Sequence, residues 1–327
     1  MRLKRGVGIQ FNWVFVIIIS AVLLIFFISA VQRQKSSFET STNVLVLNSL
    51  DSVLSSSGIS IGTVNIVEMP KAKIEFECDK MSSGGISKQL NGMNIFAPRV
   101  LEDNNMIIMT LDWSIPYRAS NFVYLTTQKV RYIFIGDSSF ARNIFEMIPD
   151  EINNDGYTNV NLIEDENDDN VRLIFFGTDP EIPDSLKGME NGITALRIDN
   201  DENKGKVEFF DFVLGEFESR GASYYLGENM LLGAVFTDKV EDYDCVMKNS
   251  FKDLNVVSQV YEKKINNLKL YYGTEQCAQY YDPDIVTEIK DASIMFSQLS
   301  INEIDKAAKN LESQNKNLQE QSCILVY

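Results

Sequence analysis

The chain has 327 residues, 45% of them hydrophobic, with 30 Lys/Arg against 46 Asp/Glu and no histidine. Residues 1–35 hold five of the basic side chains and no acid, so 36–327 carry 25 basic and 46 acidic residues. That balance of −21 repels phosphate backbones and argues against nucleic acid as a partner. The missing histidine removes the usual base of serine and cysteine hydrolases, His-containing zinc sites and the commonest pH switch.

Residues 9–31, IQFNWVFVIIISAVLLIFFISAV, contain no charge. From Val14 to Val31 only Ser20 and Ser29 interrupt the apolar run, enough helix to cross a hydrocarbon core of roughly 30 Å, so the lipid bilayer is the expected partner of 9–31. Arg2, Lys4, Arg5 and the terminal amine precede this segment, and only Arg33 and Lys35 follow it closely. The positive-inside bias therefore predicts a single-pass protein of the cell membrane, N-terminus cytoplasmic and C-terminal domain outside. A cleaved signal peptide is the competing reading. The run is longer than a usual signal core, and Ile28-Ser29-Ala30 sets a large residue where cleavage wants a small one.

Five segments are expected: tip and anchor at 1–35, an amphipathic helix at 36–58, a β-rich segment at 59–127, an α/β domain at 128–240, and a helical segment packed on it at 241–327. In the amphipathic helix, Phe38, Thr42, Leu45, Ser49 or Leu50, and Val53 form a stripe, and Gly58 ends it. Residues 71–78 alternate apolar and charged, 106–111 and 122–125 are apolar runs, and Gly84-Gly85 and Asn91-Gly92 mark turns, which predicts a mainly antiparallel sheet. Next, VRYIFIG and FARNIFEMI predict a strand and helix leading to VNLIE, a βαβ unit of a partly parallel sheet that VRLIFFG extends. Residues 193–199 and 206–212 look like a hairpin. Three helices follow, with apolar stripes through Met247, Phe251, Leu254, Val257, Tyr261, Ile265 and Leu268, and through Ile301, Ile304, Ala308, Leu311, Asn315 and Leu318. The fold class is mixed: α+β with an α/β part behind an N-terminal transmembrane helix.

Cys78, Cys245, Cys277 and Cys323 all follow the apolar segment, and no CxxC spacing occurs. An even number outside the membrane suggests two disulfides. A helix from Cys245 to about Tyr271 spans about 39 Å, and the six residues on to Cys277 reach back about 20 Å at most, so those two do not meet. The hairpin of the last two helices brings Cys277 to Cys323 and leaves Cys78 for Cys245.

Gly136-Asp137-Ser138-Ser139 and Gly177-Thr178-Asp179 each follow an apolar strand. On parallel strands both turns lie at the carboxyl edge, where Asp137, Ser138 and Asp179 could form a ligand site and the aspartates could hold Mg²⁺. The alternative is a helix cap and a simple turn. Residues 165–170 and 199–205 carry alternating oxygen ligands, but the sixth and twelfth positions of a calcium loop are wrong, since 176 and 210 are both Phe. No catalytic residue, resident metal or cofactor is assigned.

The N-terminus, LKRG with a polar stretch and an apolar helix running into an amphipathic one, resembles a type IV pilin-like precursor. That resemblance implies cleavage after Gly6 or Gly8 and a helix packed in a filament core. The family's Glu at the fifth mature position is missing, since Phe11 or Trp13 stands there. The order QFNWVFVIIISA, SIPYRASNFVYLTT, SYYLGENMLLGAVFTD and YDCVMKNSFKDLNVVSQVYEKK is similar to a group of uncharacterised single-pass proteins of small-genome archaea, which implies a cell-surface setting. The expected role is a non-catalytic surface or envelope component acting on protein partners or by self-assembly. The alternatives are a pilin-like subunit and a divergent carboxylate-based metal enzyme using Asp137 and Asp179.

Overall fold

The structure, a computed structural model, describes residues 7–90, 92–163, 170–188, 192–199 and 204–327. It opens with one helix, α1 (Val7–Ser57), of 51 residues. QRQKSSFETST at 32–42 contains no Gly or Pro, so nothing breaks the hydrogen-bond ladder between its apolar and amphipathic parts. Every side chain described from Val16 to Gln32 is exposed. Among the described residues no helix is long and apolar enough to cross a membrane.

The rest of α1 lies on a sheet, with Val46, Leu47, Leu50, Leu54 and Ser57 buried. Of the stripe expected through Phe38, Thr42, Leu45, Ser49 or Leu50, and Val53, Leu50 is buried and Val53 packs half-buried against the core, whereas Leu45 is 64% exposed and Thr42 and Ser49 are exposed too; the side chain of Phe38 lies outside the described residues. The helix carries two neighbouring apolar stripes that share Leu50, and the sheet takes the one set on by a residue, a turn of about 100°. Polar neighbours fix that choice: Lys88 Nζ reaches Asp51 and Asn48, each at 2.8 Å, and Ser83 Oγ donates to Asn43 at 3.3 Å. Gly58 N–H closes the helix on Leu54 O at 2.8 Å.

Among the described residues the strands form two six-stranded sheets. The first contains β1 (Thr63–Glu77), β2 (Lys80–Ser83), β3 (Ile86–Gln89), β4 (Asn94–Phe96), β5 (Val100–Ser114) and β6 (Arg118–Thr126), in the order β3-β2-β1-β5-β6-β4. Its pairs are antiparallel except β4 with β6. The second contains β7 (Val130–Ile135), β8 (Asn154–Tyr157), β9 (Asn170–Phe176), β10 (Ile193–Ile198), β11 (Lys204–Val213) and β12 (Glu216–Leu226), in the order β12-β11-β10-β9-β7-β8. Strands β8, β7, β9 and β10 run parallel, and β11 and β12 complete an antiparallel edge. Helix α2 (Ser139–Glu146) joins β7 to the parallel strand β8, so the βαβ unit forms, but its second strand is Asn154–Tyr157 and not the VNLIE run, whose Val160–Leu162 makes a 3₁₀ turn; β10 with β11 is the expected hairpin.

Both faces of the second sheet are covered, and the period of two sorts its residues. Tyr132, Phe134, Ile174 and Phe176 enter the main core, which runs on through the first sheet and the helices. Ile133, Ile135, Val171, Leu173 and Phe175 enter a smaller core that the 3₁₀ turns at 160–162 and 184–186 close with Val160 and Leu186. Helix α3 (Glu228–Phe236) is buried from Met230 onward. Its Tyr124–Asn229 hydrogen bond, at 2.7 Å, ties it to β6. Helices α4 (Val240–Tyr272), α5 (Pro283–Ala292) and α6 (Gln298–Glu320) pack as a C-terminal group, and the heptad of α6 buries its apolar positions within the protein. Disulfides join Cys78 to Cys245 and Cys277 to Cys323, with Cα separations of 5.7 and 5.8 Å. These are the pairs to which the helix lengths lead.

Candidate functional sites

Because β7 and β9 are parallel with Ile135 opposite Phe175, the turns Gly136-Asp137-Ser138 and Gly177-Thr178-Asp179 share the carboxyl edge of the sheet. The chain leaves β7 to one side for β8 and returns on the other as β9, which makes this the switch point where open α/β sheets bind ligands. The side chains have other partners. Ser138 Oγ accepts from Ala141 N–H at 3.0 Å and caps α2. Asp179 is 82% exposed and pairs with Arg197, which also holds Glu208 at 2.7 Å. Asp137 is exposed, and none of the three lines a cavity described below. Among the described residues no group of three His, Cys, Asp or Glu could hold a metal ion. The two candidate calcium stretches fall largely in 164–169 and 200–203, outside the described residues.

Concave surface occurs elsewhere. A cleft of about 440 Å³ is lined by Trp113, Ile115, cis-Pro116, Glu228, Asp305 and Lys309. Its buried acid, Asp305, accepts from Lys204 and Lys309 at 2.9 Å each. Burial works to raise the Asp305 pKa, and those two hydrogen bonds outweigh it and hold the carboxyl below its usual range. An apolar groove of about 220 Å³ runs between α1 and β1, lined by Thr42, Leu45, Ser49 and Val53 together with Val67 and Met69. This is the stripe of α1 that the sheet left uncovered.

The third place centres on Arg172, 3% exposed on β9. Its Nη2 donates to Ala234 O at 3.1 Å and Thr237 O at 2.6 Å, closing the C-terminal end of α3, where cations are favoured. The guanidinium lies 5.5 Å from the Phe209 ring centroid. Its Nε and Nη1 have no hydrogen-bond partner, nor does the neighbouring Thr237 Oγ1. A buried donor left unpaired costs roughly 1–3 kcal/mol, and more when charged. Burial accordingly lowers the Arg172 pKa to about 10, against the pull of Asp238. Sequence reasoning passed over this residue inside VRLIFFG. The available signal was a charge at a position that faces the core in a strand covered on both sides. No protein-family model, curated protein or solved structure matches the chain.

Proposed function

We propose that the chain is a membrane-anchored extracytoplasmic protein, a non-catalytic surface or envelope component that works through protein contacts. The observation that carries this reading is α1: one unbroken helix exposes apolar side chains from Val16 to Val31 and then packs its last turns into a folded sheet. Exposed apolar surface of that extent is unfavourable in water and stable in lipid. The two disulfides support a compartment that permits oxidation. Val256, Val260, Leu270 and Tyr271, all exposed on α4, supply apolar surface for a protein partner. Labelling intact cells with a membrane-impermeant maleimide tests the orientation. Labelling that needs prior treatment with an impermeant reductant is expected, whereas free thiols reached only after lysis would place the domain in the cytoplasm.

A pilin-like subunit is the second reading, favoured by a helix whose apolar part stands free while its distal part packs against a mainly antiparallel sheet. It requires cleavage after Gly6 or Gly8. Mass measurement of the mature N-terminus decides it, and an intact Met1 rejects it.

A further inference from the structure

Arg172 and Thr237 line a cavity of about 160 Å³ at the amino ends of β7, β9 and β10, on the sheet edge opposite Asp137 and Asp179. A guanidinium has five N–H bonds. Nη2 spends its own on Ala234 O and Thr237 O, which leaves Nε and both hydrogens of Nη1 without an acceptor. Among the described residues Arg172 makes no ion pair, so its charge is met by carbonyl dipoles and by the field of Asp238. The donors left over are those that hold a carboxylate in charge-assisted hydrogen bonds.

Asp238 lines the same cavity and is half-buried, with Oδ1 accepting Arg99 N–H at 2.8 Å. A plain anion beside Arg172 would meet repulsion from that carboxylate, whereas a ligand with an ammonium group would pair with it. Val100, Val130, Val235 and Phe236 supply apolar wall to the same cavity. The volume is small beside the roughly 300–1,000 Å³ of drug-sized sites, so the occupant has few heavy atoms.

We propose that this cavity binds a small zwitterion of the α-amino acid class, its carboxylate on Arg172 and Thr237 and its ammonium on Asp238. Nε, Nη1 and Thr237 Oγ1 are covered by surrounding atoms, so the carboxylate reaches them through a side-chain adjustment at the wall. The contact it then makes is closed to bulk salt, and binding tolerates ionic strength as surface anion binding does not.

Calorimetric titration of the full chain in detergent, with glycine, L-alanine, acetate and inorganic phosphate as separate probes, tests the assignment. Saturable binding of glycine or alanine is expected, at least tenfold tighter than acetate or phosphate and little changed as salt rises. Asp238→Asn should weaken alanine about tenfold and narrow the gap to acetate, and Arg172→Gln should abolish binding. Should Arg172→Gln fail to fold, Thr237→Val and Asp238→Asn test the same contacts from the rim. Acetate binding as tightly as alanine, alanine binding unaffected by Asp238→Asn, or no saturable signal from any probe would overturn it. None of these results depends on which side of a membrane the domain occupies.

Discussion

Gly233 shows how closely single residues are set. A Cβ placed there would lie 2.7 Å from Cε1 and Cζ of Phe96, a ring that is fully buried, stacked on Tyr124 at 5.7 Å and edge-on to Phe122 at 5.1 Å. The ring has no free direction in which to yield, so α3 must lift from β4. Gly233→Ala is expected to destabilise the fold by about 1–3 kcal/mol, although alanine is the better helix former. A chemical denaturation midpoint measures the loss, and Phe96→Leu in the same chain should restore part of it. Arg172 belongs to the same scale. Its apolar neighbours in VRLIFF identify the strand, but nothing in one sequence tells which helix end the guanidinium will meet.

Among the elements, α4 makes an unusual pH prediction. Asp242, Asp244 and Asp253 all lie on its first half, and burial raises each above the ordinary aspartate value of 3.8, against the hydrogen bonds from Ser223 to Asp244 and from Asn94 to Asp253. The folded state then binds protons more readily than the unfolded state just above that value, so ∂ΔG/∂pH is negative there. This stabilisation is complete below 3.8 and fades as pH rises through the raised values. Asp305, held low by its lysines, acts oppositely and loses its contribution as pH falls through its depressed value. Glu262, Glu75 and Asp184, each held low by a lysine, act in the same sense as Asp305, so the expected result is a difference: the thermal midpoint of the unaltered protein rises relative to that of the variant with Asp→Asn at the three α4 positions as the pH falls. The stripe of α4 was legible because one face is buried and the other wet. Helix α3 was not, because burial all round from Met230 to Phe236 leaves no period to read. On α1 two apolar stripes compete, and the choice rests on Lys88 and Ser83, which are distant in sequence. The Asp137 and Asp179 turns were readable as neighbours on one edge from their strands, whereas the Arg197 partner of Asp179 arrives from the next strand over.

For the molecule as a whole, the disulfides bind the C-terminal helices at both ends. Cys78–Cys245 ties the close of β1 to the start of α4 across 167 residues, and Cys277–Cys323 closes the α5–α6 hairpin across 46. Replacing either pair by serine should cost roughly 2–4 kcal/mol, read as a lower urea midpoint. Reduction of the unaltered protein should lower it further than either replacement. Helix α1 has a consequence for how the domain is presented. With no joint between Val16 and Leu54, the helix works as a rigid shaft, and the heading of the whole head is set by the phase of the helix below it. One residue added near Ser36 would swing the head by about 100°, while seven would return it to within about 20° of its first bearing. Length between the apolar stretch and the sheet is therefore a matter of compass direction as much as of reach.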